Sequence, residues 1–412
     1  MKKQNNTFKR YNSIGNKELL AATKVIKKGN LSSFIGAWGN NFYGGEYVRK
    51  FEKNCESFFN VKYAVAVNSW TSGLIASVGA IGIEPGDEVI LPTWTMSACA
   101  MSILHWNAIP VFADIDKETF TIDPKSIVKN ISKKTRAILA VDIFGHPHNF
   151  SKIKVIAKKY NLKIIVDSAQ APYSFYKDKL CATLGDVGGI SLNYHKHIHT
   201  GEGGVIFTNN KKIYNKLLLI RNHGEAVVEK MGHKDLTNII GYNFRLGEIE
   251  SAIGIEQLKK LKQKTIKINK VAEILTKNLK GLSGLKTPIQ NKNCTHSYYV
   301  YPLIIDPRIV KVPREKIINT LKDHGLQGFV SGYTNLHLLP IFQKKIAYGT
   351  KGFPWNVPFN KNKTSYAKGI CPVAERLHSK TLIAFHICLY DLESRDLNFI
   401  IKKFKKVWPT FL

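Results

Sequence analysis

Short apolar runs alternate with longer stretches whose apolar positions recur at helical spacing through the first two thirds of the chain. Runs at 61–67, 89–91, 110–112, 137–141, 163–166 and 205–207 read as strands, and 187–192 is a further apolar segment. Between them, 47–59, 74–81, 97–105, 126–131, 150–160, 216–221 and 248–262 read as helices. Ahead of these, 8–34 reads as an arm and a helix with Leu19, Leu20, Val25 and Ile26 on its apolar face, stopped at Gly29-Asn30. Strands and helices alternating in this way predict an α/β fold with a mostly parallel sheet covered on both faces. Ligands of such sheets sit beyond the carboxyl ends of the strands. Asn68, Trp94, Asp167 and Lys196 all fall at or just past such ends.

The pattern changes near the middle of the chain. The stretch 259–280 is charged and reads as a solvated helix, which places a domain border near residue 260. Residues 1–260 would form an N-terminal arm and a large domain, and 261–412 a smaller α+β domain. In the latter, 298–305 reads as a strand, 314–324 and 399–408 as helices, and 355–366 as irregular.

Composition narrows the possibilities. A chain of 412 residues with 44% hydrophobic content suits two or three globular domains. No apolar run approaches a membrane span, and Met1-Lys2-Lys3 leads into polar sequence with no signal-peptide core, so a cytoplasmic protein with no membrane partner is expected. Six scattered cysteines without a C-x-x-C pair predict reduced core thiols. The net charge of +31 comes from lysine doublets spread along the chain, with no aromatic-interleaved RNA motif. Such a diffuse field attracts an anionic small substrate such as a nucleotide-linked sugar, and no nucleic-acid partner is expected.

The stretch Ser191 to Asn209 carries the strongest chemical signal. Lys196 lies among His195, His197 and His199, ahead of glycines at 201, 203 and 204, and between two apolar segments. A lysine there either sends its head to water at a turn or is neutral or bonded, most economically as a Schiff base. Asn68 to Gly73 is a hydroxyl-rich turn between a strand and a helix, which suits an anion cradle or an ordinary N-cap. Asp167 ends a buried strand, and either caps the following segment or holds a heteroaromatic nitrogen protonated. The three histidines lack an accompanying carboxylate, so no metal is expected, and Gly201-Glu202-Gly203-Gly204 lacks the dinucleotide-binding spacing.

Taken in order, Thr71-Ser72, Trp94, D-x-x-Q (Asp167, Gln170), S-x-x-x-x-K (Ser191, Lys196), G-E-G-G and G-Y-N-F-R (241–245) resemble the DegT/DnrJ/EryC1/StrS sugar aminotransferases. The segments P-G-D-E-V-I-L-P (85–92), P-V-F-A-D-I-D (110–116) and C-P-V-A-E-R-L (371–377) extend the resemblance over nearly the whole chain. It implies an aspartate aminotransferase-like fold of type I, whose large domain binds pyridoxal 5'-phosphate. The implied activity is transfer of an amino group from an amino acid, L-glutamate by resemblance, to a keto-sugar for glycan biosynthesis. Pyridoxamine 5'-phosphate would carry the amine between half-reactions. Lys196 would form the Schiff base and move the proton, and Asp167 would pair with the ring nitrogen. Gln170 would bond the ring 3-oxygen, and Thr71, Ser72 and Ser191 the phosphate. Asn243 would reach the phosphate across a homodimer interface with shared active sites.

Two positions depart from the family pattern. Trp70 stands where a glycine is usual. Met96 stands where a ring usually stacks on the cofactor, which leaves Trp94 or the Met96 thioether to cover it. Relatives with histidine in place of the lysine are sugar dehydratases. A dehydratase, or an aminotransferase acting on a cyclitol or another non-nucleotide ketone, is therefore the alternative. Trp38, Tyr43, His146, His195 and the loop 332–337 are candidates for substrate contact.

Overall fold

The computed structural model describes residues 8–357, 360–361 and 364–412. The basic start Met1-Lys2-Lys3 and part of the irregular 355–366 stretch lie outside the described residues. The sheet is built from β1 (Tyr63–Val67), β2 (Glu88–Pro92), β3 (Ile109–Ala113), β4 (Thr135–Val141), β5 (Lys163–Asp167), β6 (Val187–Ser191) and β7 (Gly204–Thr208). Their spatial order is β1-β7-β6-β5-β4-β2-β3. Neighbours pair in parallel except around β7, which runs antiparallel to both β1 and β6. The strands between the two edges are apolar on both faces, as a sheet sandwiched between helix layers requires.

The helices match the expected spacing, with instructive differences. α1 (Asn16–Lys28) ends at Gly29 in the left-handed conformation, φ 73°. Its expected apolar face is mostly turned outward: Leu19 and Leu20 are 63% and 60% exposed, and Glu18 is buried instead. Glu18 is satisfied by Lys260, by Gln257 and by the Gly15 N–H, so its pKa is lowered despite burial. These three donors, one of them a cation, outweighed the hydrophobic pattern. After α2 (Glu46–Phe59), α3 (Trp70–Ala80) starts four residues before the expected 74 because Ser69 caps it, accepting from the Ser72 N–H. α4 (Ala98–His105), α5 (Pro124–Asn130), α6 (Phe150–Tyr160) and α7 (Lys211–Arg221) complete the crossovers.

The stretch read as a solvated border belongs to one helix, α8 (Glu248–Leu279), which runs through the position of the expected boundary. It buries Leu261, Lys264, Thr265, Ile268, Val271, Ala272 and Leu275. A second, antiparallel sheet follows, formed by β8 (Leu285–Lys286), β9 (Tyr301–Ile305), β10 (Phe329–Val330) and β11 (Leu382–Phe385) in the order β8-β9-β11-β10. α9 (Arg314–Asp323) and α10 (Ser394–Val407) cover it. The two parts are braced near the strand ends. Asp114, just past β3, accepts the N–H groups of Val373 and Ala374, so two family-like segments meet there. Thr93 bonds His337 at 2.6 Å, and His337 bonds Glu375 at 3.0 Å.

Candidate active site

A cavity of about 210 Å³ opens where the carboxyl ends of β5 and β6 meet the first turn of α3. Thr71, Met96, Asp167, Gln170, Ser191, His195, Lys196 and Tyr333 are among its walls. The topology explains the convergence. β5 ends in Asp167 and β6 in Ser191, and the strand-to-helix turn before α3 brings Ser69 to Thr71 beside them. The first-turn N–H groups of α3 lack intrahelical acceptors and lie at its positive end.

Asp167 is buried and carries three donors. The Trp70 indole N–H and the Ala169 N–H reach Oδ1 at 2.7 and 2.9 Å, and the Cys99 thiol reaches Oδ2 at 3.0 Å. Burial raises its pKa, and these donors offset part of the rise. Lys196 is half-buried, with its Nζ 4.6 Å from the centre of the Tyr299 ring. Desolvation lowers its pKa to about 8, against the opposing pull of Asp167. His195 is lowered to about 4 by burial and by Lys196, which leaves it neutral at physiological pH.

Gln170 is held from two sides. Its Oε1 accepts the Phe144 N–H at 2.7 Å, and its Nε2 donates to the Tyr333 hydroxyl at 2.5 Å. Asn193 donates to Glu202 at 2.7 Å, and both line the cavity. Sequence reasoning did not single out Cys99, Asn193, Glu202 or Tyr299. It gave Trp70 only as a departure from pattern and Tyr333 only as part of a loop. Cys99 read as an inert core thiol, and a helix-spaced cysteine gives no sign of the carboxylate it faces.

Three expected site residues lie off the cavity wall. Trp94 is fully buried beside Phe120 and Phe144, and Met96, 59% exposed, lines the cavity in its place. Ser72 is buried one step further into α3, its Oγ 3.0 Å from that of Ser69. Asn243 is exposed and forms a bridge with Asn222. Of the candidates for substrate contact, His195 and Tyr333 line the cavity, whereas Trp38, Tyr43 and His146 do not. The histidine series does not converge: His197 donates to the Ser297 carbonyl at 2.8 Å, and His199 accepts the Gly201 N–H. Among the described residues no group of side chains could hold a metal ion, and no helix is long and apolar enough to cross a membrane.

The comparisons with known proteins agree with this geometry. Residues 37–387 match the DegT/DnrJ/EryC1/StrS aminotransferase family. A GDP-perosamine synthase of Escherichia coli O157:H7 is 34% identical over 73% of this chain and 80% of its own length. The spore coat polysaccharide biosynthesis protein SpsC of Bacillus subtilis is 30% identical over 85% of this chain and 89% of its own. The crystal structure of an aminotransferase from Psychrobacter cryohalolentis superposes with a TM-score of 0.83 at 25% identity, covering 98% of this chain and all of that one. The chain belongs to the DegT/DnrJ/EryC1/StrS aminotransferase family, a family of pyridoxal-phosphate-dependent enzymes.

Proposed function

We propose that this enzyme transfers an amino group from an amino acid, L-glutamate in the first instance, to the ketone of a nucleotide-linked sugar. One observation carries the reading: Lys196, its amine depressed to about 8, shares a cavity with a buried strand-end carboxylate, Asp167. The residues fit pyridoxal phosphate. An amine free of ion pairs among the described residues, a carboxylate, a helix N-terminus with hydroxyls, and a clamped amide match the aldehyde, ring nitrogen, phosphate and 3-oxygen in turn. When bound, that group supplies an aldehyde that takes up nitrogen and a ring that accepts the electrons left when Cα loses its proton.

The side chains do the remaining work. Roughly a tenth of Lys196 is neutral at pH 7 with a pKa of about 8, so its Nζ can take a proton from Cα and return it one step later. Asp167 would pair as a carboxylate with a cationic ring nitrogen and hold its proton in place. Thr71, Ser191 and the start of α3 bind phosphate, with Ser72 supporting through Ser69. Gln170, fixed by Phe144 and Tyr333, orients the ring. Met96, on the cavity wall, would cover the ring face. Trp94, packed against Phe120 and Phe144, supports that wall from behind.

Asn243 is exposed and off its own cavity, which supports a homodimer in which it completes the neighbouring subunit's phosphate site. A cytoplasmic location, a large cofactor-binding unit up to 260 and a smaller one from 261, and a place in polysaccharide or other glycan synthesis belong to the same reading. The similarity to a GDP-perosamine synthase and to the spore coat polysaccharide biosynthesis protein SpsC supports the nucleotide-linked acceptor and the polysaccharide context.

The test is mass spectrometry of products from a panel of nucleotide-linked keto-sugars and cyclitol ketones with glutamate as donor. Nitrogen gain on a nucleotide-linked sugar is expected. Deoxygenation without nitrogen gain, nitrogen gain on the cyclitol alone, or a protein that takes up no pyridoxal phosphate overturns the proposal.

A further inference from the structure

Trp70 occupies the first position of α3, where its indole is buried and its N–H lies 2.7 Å from Asp167 Oδ1. The surroundings make room for that ring. A Cβ on Gly189 of β6 would lie 2.2 Å from indole Cζ3, and one on Gly73 of α3 would lie 2.6 Å from Cε3. The side chains of two elements are thus reduced to hydrogen where the indole passes. The two oxygens of Asp167 end up unlike. Oδ1 is saturated by an indole and an amide, whereas Oδ2 has only the Cys99 thiol, a weak donor. Oδ2 therefore keeps acceptor capacity to spare.

We infer that Trp70 is a positioning residue: by holding Oδ1, it fixes the Asp167 carboxylate so that Oδ2 is the oxygen presented to a cationic heteroaromatic nitrogen. This rests on the reading of Asp167 given above. The donor also keeps Asp167 ionised, since losing a hydrogen bond to the charged form favours the protonated acid. A protonated Asp167 would no longer favour a cationic ring.

The test compares binding of pyridoxal phosphate and of its carbocyclic analogue, in which CH replaces the ring nitrogen, to cofactor-stripped protein. Only the first can engage Asp167. Wild-type protein should prefer it by roughly 10- to 150-fold, the range of a hydrogen bond to a charged group. Trp70→Phe keeps the bulk and removes the N–H. The preference should fall to within about threefold, with affinity for the analogue nearly unchanged. An equal loss for both ligands makes Trp70 a space-filler and overturns the inference, as does an undiminished preference. Gly73→Ala, which favours the helix, is the second variant. Its methyl group displaces the indole, so the preference should fall there too, and an unchanged preference counts against the clamp. Asp167→Asn separates the two levels of argument. If wild-type shows no preference, or Asp167→Asn retains it, the reading of Asp167 itself fails whatever Trp70 does.

Discussion

Lys196 and Lys264 are near twins by the usual signs of an activated lysine. Burial depresses both to about 8. Both amines lie over a tyrosine face, Tyr299 at 4.6 Å and Tyr11 at 3.1 Å, and neither forms an ion pair with a described residue. Their settings differ. Lys196 follows β6 on the wall of a cavity that it shares with Asp167. Lys264 projects from the middle of α8 and is 6% exposed, with its aromatic contact coming from the N-terminal arm. A depressed lysine pKa therefore records desolvation in both places and, on the function proposed above, marks chemistry in one. What separates them is the cavity that Lys196 shares with a buried carboxylate, since Lys264 also has titratable neighbours in Cys388 and Asp391.

The sharpest way to break the comparison is to exchange their fates by mutation. Lys196→Ala should lower amine transfer by about 10³-fold or more, since on the proposed function it removes both the covalent anchor and the proton carrier. Lys264→Ala should leave kcat within about threefold, because it touches no reacting atom. Borohydride treatment of the pyridoxal-phosphate complex, followed by peptide mapping, should find the label at 196 alone. A label at 264 would dissolve the distinction.

Stability should show the opposite ranking. Lys264 has a folded-state pKa of about 8, below the unfolded value of about 10.4. The unfolded chain thus binds more protons between those values, and stability rises with pH across that window. The penalty is fully present below pH 8. Lys264→Met removes it, and should stabilise the protein at pH 7 by roughly 1–3 kcal/mol after the lost cation–π contact is counted. Urea unfolding at pH 7 and 9.5 measures this. A variant that is less stable at pH 7 would show that the Tyr11 contact outweighs desolvation.

This contrast also explains what could be read from the sequence. The alternation of strands and helices, Asp167 and Lys196 at or just past strand ends, and the hydroxyl turn were legible because period and turn chemistry are local properties. The α1 face was misread because Glu18 is satisfied by Gln257 and Lys260, some 240 residues away in the chain. The buried face of α8 was hidden for the same reason: Lys264 counts as polar in any pattern, and only packing shows it buried. Trp70 and Cys99 fall in this class as well. Each sits on a helix that looks ordinary, and its meaning depends on a carboxylate contributed by β5.

A smaller effect should appear in the kinetics of cofactor uptake. Only neutral Lys196 attacks an aldehyde, so the uptake rate by stripped protein should rise about tenfold per pH unit below 8 and level off above it. An unperturbed lysine would keep rising towards pH 10. Stopped-flow absorbance over pH 6 to 10 locates the midpoint. In Lys264→Met the midpoint should not move, because only Lys196 reports there.

The smallest shift concerns the two tyrosine rings. Tyr299 attracts the protonated form of Lys196 through its face and excludes water from the same space. These act in opposite directions on the pKa. Tyr299→Leu keeps most of the bulk and removes the attraction, so the uptake midpoint should fall by about half a unit. Tyr299→Ala opens the site to water, which relieves desolvation, the larger cause, and the midpoint should rise. Opposite signs from two truncations of one residue would establish desolvation as the dominant cause at Lys196. A fall in both would assign that part to the ring, and Lys196 and Lys264 would then differ in the origin of their pKa as well as in its use.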